Sequence, residues 1–182
     1  MPRTRTRRRL QVARGGALLA LLALAGCRHP TSESIETPAA LAEALVEAGG
    51  ERAAAQRELQ ALFEAYRQGK GLAPEGYAKA IRTQRAVLDA VAALHVRPGV
   101  LRGLHARARA IEQRVLAGLE AARAEAGLAG DEAGRRAAFN RLFEALGQAD
   151  REWMALEADL EAECATAGKT CSVRPPLRLI GR

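Results

Sequence analysis

From Pro38 onward, apolar and small positions recur at alternating steps of four and three: Leu41, Leu45, Ala48, Arg52, Ala55, Leu59, Leu62 and Tyr66. This is the spacing of a helix that turns one seam inward. Thr37-Pro38 supplies its start, a hydroxyl N-cap followed by a proline whose φ is already helical. The register passes through Gly49-Gly50 without slipping, so one helix is expected to about Gln68, weakened or bent where the two glycines lower helix propensity. Arg52 is the odd member of the seam and is expected to carry its guanidinium outward on its apolar stem.

Gly69-Lys70-Gly71 closes that helix and Pro74-Glu75 opens a second, with the stripe Tyr77, Ile81, Gln84, Leu88, Val91 and Leu94 or His95. Arg97-Pro98-Gly99 breaks it. A third helix carries Leu101, Leu104, Ala108, Ile111, Val115, Gly118 or Leu119, and Ala122; Gly127 followed by Leu128 reads as a glycine C-cap with its apolar contact. Asp131 caps a fourth helix with the clearest stripe: Phe139, Leu142, Leu146, Ala149, Trp153, Leu156, Leu160 and Cys164, ending at Gly168. No segment alternates with period two. Short connections between helices make neighbours antiparallel. The expected fold class is therefore all-α, an up-down-up-down antiparallel bundle of four unequal helices. The fourth would be about 55 Å long at about 1.5 Å per residue.

The first 26 residues do not fit this pattern. Arg3, Arg5, Arg7, Arg8, Arg9 and Arg14 precede an apolar run from Ala17 to Ala25, with no acidic residue before Glu33. A basic start, a short apolar run and a small-residue boundary describe a secretory signal. The run is about half the roughly 20 residues that span a bilayer as a helix. Leu24-Ala25-Gly26-Cys27 resembles the lipobox of bacterial lipoproteins, residue for residue. That resemblance implies lipidation of the Cys27 thiol and cleavage after Gly26. Thr6-Arg7-Arg8-Arg9-Leu10-Gln11 is similar to a twin-arginine export signal, although six arginines in so short a stretch are equally compatible with general secretion. Arg28, rather than Asp, follows the cysteine, which by resemblance to enterobacterial sorting implies the periplasmic face of the outer membrane.

The domain plan that follows is a cleaved signal over 1–26, lipidated Cys27 and a polar linker over 27–37, a helical bundle over 38–168 and a tail over 169–182. Extended chain reaches at most about 3.3–3.6 Å per residue, so the linker keeps the bundle near its membrane.

Removing the signal changes the charge balance. Six of the 28 basic residues precede Cys27 and none of the 21 acidic ones does, which leaves 22 basic against 21 acidic groups. Six of the seven units of formal charge thus belong to the segment expected to be discarded. Nucleic-acid binding, which needs a clustered basic face on the mature domain, is not expected. Cys164 and Cys171 are left once Cys27 is assigned to lipid. In an oxidising compartment their even number and short spacing are compatible with a disulfide holding the tail to the fourth helix; two free thiols are the other reading.

Candidate chemistry is sparse. His29, His95 and His105 have no i,i+4 partner of the kind a metal site uses. Glu152, Glu157, Asp159, Glu161 and Glu163 make the end of the fourth helix acidic. Antiparallel packing would place Arg97, Arg102, Arg107 and Arg109 beside them, so internal charge matching accounts for both groups. Gln84 is read as turned to the surface, with a register role or a ligand cavity as its alternatives. No Gly-x-Ser-x-Gly, phosphate-cradling loop, zincin or haem motif occurs, and no catalytic residue, cofactor or metal is expected. The tail carries Leu177, Leu179 and Ile180 as contact candidates within a stretch read as partly disordered. These residues fit a non-enzymatic, membrane-anchored envelope lipoprotein with a structural, scaffold or adaptor role and an envelope protein as partner. The alternative is a periplasmic bundle that binds a small ligand or metal. Oligomeric state is not legible at this level.

Overall fold

The computed structural model describes residues 34–69 and 72–171. The expected signal segment, Cys27, His29 and the chain from 172 lie outside the described residues. The fold is all-α: α1 Pro38–Glu47, α2 Gly49–Arg67, a 3-10 turn Pro74–Gly76, α3 Tyr77–Ala92, α4 Val100–Leu128 and α5 Glu132–Thr166. Among the described residues, the sheet-like pairing is an isolated parallel bridge between Ile35 and Val96.

The local signals act as their chemistry dictates. Thr37 Oγ1 accepts from the Ala40 amide at 3.2 Å, and Asp131 Oδ1 accepts from the Gly134 amide at 2.8 Å. Each satisfies an amide that the first turn leaves without a partner. At the end of α5, Gly168 adopts φ +69°, and the Lys169 amide returns to the Cys164 carbonyl at 2.9 Å, a glycine-terminated helix end.

Three expectations need correction. The first helix is divided at Ala48 into α1 and α2. Ala48 keeps a right-handed conformation, φ −58° and ψ −16°, so the seam register survives the division, and Leu41, Leu45, Ala48, Arg52, Ala55, Leu59 and Leu62 are all buried. Gly127 does not cap α4. The helix runs on to Leu128, Gly127 has no positive φ, and Leu128 is 88 % exposed rather than folded back. A Cβ at Gly127 would meet Pro74 Cγ at 3.6 Å, so this glycine sits where the turn before α3 packs on α4. Pro74-Glu75 opens a 3-10 turn, and α3 itself starts at Tyr77.

Sequence neighbours pack on one another, α2 on α3, α3 on α4 and α4 on α5. Arg107 pairs with Asp159, Arg114 with Glu152 and Arg141 with Glu125. The numbers fall along α4 as they rise along α5, so these two helices run antiparallel. The same holds for α3 and α4, where His105 Nε2 meets the Val91 carbonyl at 2.8 Å and Arg85 pairs with Glu120 at 2.7 Å. α4 packs tightly on α5 at Gly118, where a Cβ would stand 3.3 Å from Ala145 Cβ. One apolar core, including Leu45, Leu59, Tyr77, Leu119, Trp153 and Leu160, runs through all five helices.

Candidate functional site: a polar cluster inside the bundle

Three helices contribute polar side chains to a cluster at the centre of this core, and the other two contribute contacts to it. Arg52 lies in the first turns of α2, Gln84 midway along α3 and Glu112 midway along α4. They are 4, 2 and 1 % exposed. Arg52 Nε donates to Glu112 Oε1 at 2.7 Å, and Gln84 Nε2 donates to Glu112 Oε2 at 2.7 Å and to the Glu112 carbonyl at 3.3 Å. From α1, the Leu45 carbonyl accepts from Arg52 Nη1 at 2.9 Å. From α5, the Trp153 ring lies under the guanidinium, 4.2 Å from ring centroid to Cζ.

This arrangement follows from the seam. Arg52 replaces an apolar residue between Ala48 and Ala55, so its side chain must either leave the seam or find a counter-charge inside it. Glu112 supplies that counter-charge, because it lies on the inner face of α4 beside Ala108, Ile111, Val115 and Leu116, all buried. Leu45 is in the last turn of α1, where helix carbonyls run out of intrahelical donors, and Arg52 reaches back to it. The outward reading of Arg52 and the surface reading of Gln84 are therefore both corrected: a buried carboxylate offers each a partner that solvent would otherwise supply. Glu112 itself escaped the apolar stripe. Its position four residues after Ala108 and three before Val115 places it on the buried face, and that spacing was the signal available.

The chemistry open to this cluster is narrow. Both carboxylate oxygens of Glu112 already accept charge-assisted or amide hydrogen bonds, and the Arg–Glu pair is neutral overall. A general base or a metal ligand would need a free lone pair facing a substrate, and Glu112 faces Arg52, Gln84 and packed aliphatic chains. Two donors beside the cluster, Arg52 Nη2 and Trp153 Nε1, are buried without a partner among the described residues.

Tyr77 is a third buried polar group. It is fully covered and its hydroxyl has no partner among the described residues. Burial first, and the negative charge of Glu125 second, push its pKa from 10.0 up to about 12.

The other residues singled out from the sequence are spread over the molecule. Cys164 and Cys171 are bonded to each other, with Cα atoms 6.0 Å apart. His105 fastens α4 to the end of α3, and the His95 carbonyl accepts from the Ile35 amide at 2.7 Å. Of the acidic run on α5, Glu152 and Asp159 pair with arginines of α4, whereas Arg97 pairs with Glu36 at 3.5 Å instead. Among the described residues, no three His, Cys, Asp or Glu side chains converge as a metal ion would require, and no helix is long and apolar enough to cross a membrane.

Two depressions are formed by the described residues. One, of about 400 Å³, is lined by Glu132, Arg136 and Asn140 with two alanines. Tyr66 lies beside it, donating to Asn140 Oδ1 at 3.1 Å and stacking on Phe139 at 4.2 Å. The other, of about 420 Å³, runs along the outer face of α1 and is lined by Ala39, Ala42, Glu43, Val46, Glu47, Thr170 and Cys171. No protein-family model matches this chain, no curated protein matches it, and no solved structure matches it.

Proposed function

We propose that this chain is a lipid-anchored bacterial envelope protein whose helical domain acts as a non-enzymatic scaffold or adaptor. The observation that carries the reading is the closed Arg52–Glu112–Gln84 cluster. It commits the buried carboxylate, guanidinium and amide side chains of the described residues to one another, which is how a bundle fixes its own register rather than how it presents chemistry to a substrate. Cys27 supplies the anchor through its lipobox, residues 1–26 are the cleaved signal and residues 28–37 the linker. In this reading α1 and α2 together form one limb, and α3, α4 and α5 complete an up-down-up-down bundle. Arg28 after the lipidated cysteine favours the periplasmic face of the outer membrane.

The direct test is capture from detergent-solubilised envelopes with the lipidated chain as bait. A stoichiometric envelope protein, lost when the bundle is unfolded, is the expected result. A second reading, a bundle that binds a small ligand, draws on Arg52 Nη2 and Trp153 Nε1. These are two buried donors, so the ligand would bring acceptor oxygens rather than be a metal cation. Absence of any protein partner, together with thermal stabilisation by a carboxylate or phosphate compound, would favour that reading over the adaptor.

A further inference from the structure

The outer face of α1 combines an apolar groove with unbalanced acid. Ala39, Ala42 and Val46 supply the apolar floor, Val46 being 51 % exposed. Glu43 and Glu47 supply two carboxylates that take part in none of the ion pairs among the described residues. Thr170 and Cys171 form the end of the groove. Cys171 is held to α5 by its bond to Cys164, so the chain that continues from it starts at the groove itself.

That chain is Ser172 to Arg182, with Val173, Leu177, Leu179 and Ile180 interleaved with Arg174, Arg178 and Arg182. Its composition is the complement of the groove, apolar with positive charge against apolar with negative charge. Pro175-Pro176 biases it towards an extended conformation of about 3.1 Å per residue. Eleven such residues cover about 34 Å, whereas the ten residues of α1 are about 15 Å long. The segment therefore exceeds the length of the groove even with a turn to enter it.

We propose that the C-terminal segment 172–182 is the occupant of this groove, with Leu177 and Leu179 over Val46 and Ala42 and with Arg174 and Arg178 facing Glu43 and Glu47. The disulfide sets where the segment begins, and the groove sets where it lies. The contact is independent of whether Cys27 carries lipid.

Limited trypsin digestion of the full-length oxidised chain, followed by mass spectrometry of the peptide 179–182, reads the contact at the Arg178–Leu179 bond. A seated segment releases this peptide at least tenfold more slowly than the Val46→Asp or Leu177→Asp variants do. Glu43→Gln/Glu47→Gln should accelerate release several-fold. Leu177→Asp lies in the segment itself, so it reports on seating even if a change in α1 disturbs the bundle. Release from the unaltered chain at the rate of Leu177→Asp would overturn the proposal. So would slow release that neither α1 variant alters, which would place the segment elsewhere. Protection that disappears on dilution would assign the groove to the segment of a second copy and overturn it as well.

Discussion

Removing either partner of the Arg52–Glu112 pair leaves the other charge buried without compensation, which typically costs about 3–5 kcal/mol. Glu112→Ala should therefore destabilise the domain by an amount in that range in urea or guanidinium unfolding. Replacing the cluster together, Arg52→Met with Gln84→Leu and Glu112→Leu, should cost far less and could even stabilise, since buried pairs rarely outperform well-packed apolar groups. If Glu112→Ala were as mild as the triple variant, the pair would not be acting as a coupled unit. Tyr77 gives a pH signature at the same scale. Its folded pKa is raised, so its contribution is complete below the unfolded value of 10.0 and is lost as pH climbs towards about 12. Two units correspond to about 2–3 kcal/mol. Tyr77→Phe should remove that alkaline decline from the denaturation midpoints while leaving stability at neutral pH equal or higher, because the hydroxyl it deletes has no partner.

Helix by helix, the close contact of α4 with α5 depends on Gly118. Valine there would drive branched methyls into Ala145 and Leu142, and overpacking of this kind costs about 1–3 kcal/mol. Gly50 is a contrasting case. It is helical, has no positive φ, and has open space where a Cβ would stand. Gly50→Ala should stabilise the domain by about 0.5–1 kcal/mol through helix propensity alone, measurable as a rise in midpoint with unchanged slope. At the far end of α5, Cys171→Ser opens the ring to Cys164. For so short a loop the chain-entropy account gives about 2–3 kcal/mol, and the loss should be reproduced by reductant on the native chain.

For the whole molecule, the anchor is the governing expectation. Cys27→Ser should move the protein from the membrane pellet to the soluble envelope fraction, and retention in the pellet would sink the lipid-anchor reading. The chain enters the bundle at a fixed point. Ile35 is fixed to the turn between α3 and α4 by its amide to the His95 carbonyl and by the Arg97 amide to its own carbonyl at 3.0 Å. The end carrying Leu128 lies away from this turn by about the length of α4, roughly 43 Å for 29 residues.

The sequence by itself determined the all-α class, most of the seam positions and the chemistry of the caps at Thr37 and Asp131, although on α3 the buried position is Val87 while the expected Leu88 is half-buried. These depend on periodicity and on side chains bonding to backbone within a few residues, and both are local. It could not determine which way Arg52 and Gln84 would point, because the answer lies on α4, sixty and twenty-eight residues away. A polar residue in an apolar stripe goes inward only if another helix brings it a partner, and only tertiary packing brings Glu112. The same reason decided the role of Gly127, which is explained by Pro74 across the fold rather than by the end of its own helix. The division of the first helix at Ala48, by contrast, falls beside Gly49-Gly50, where the sequence already places a weak point. Local signals specified the elements. Contacts distant in sequence decided how their exceptional residues were used.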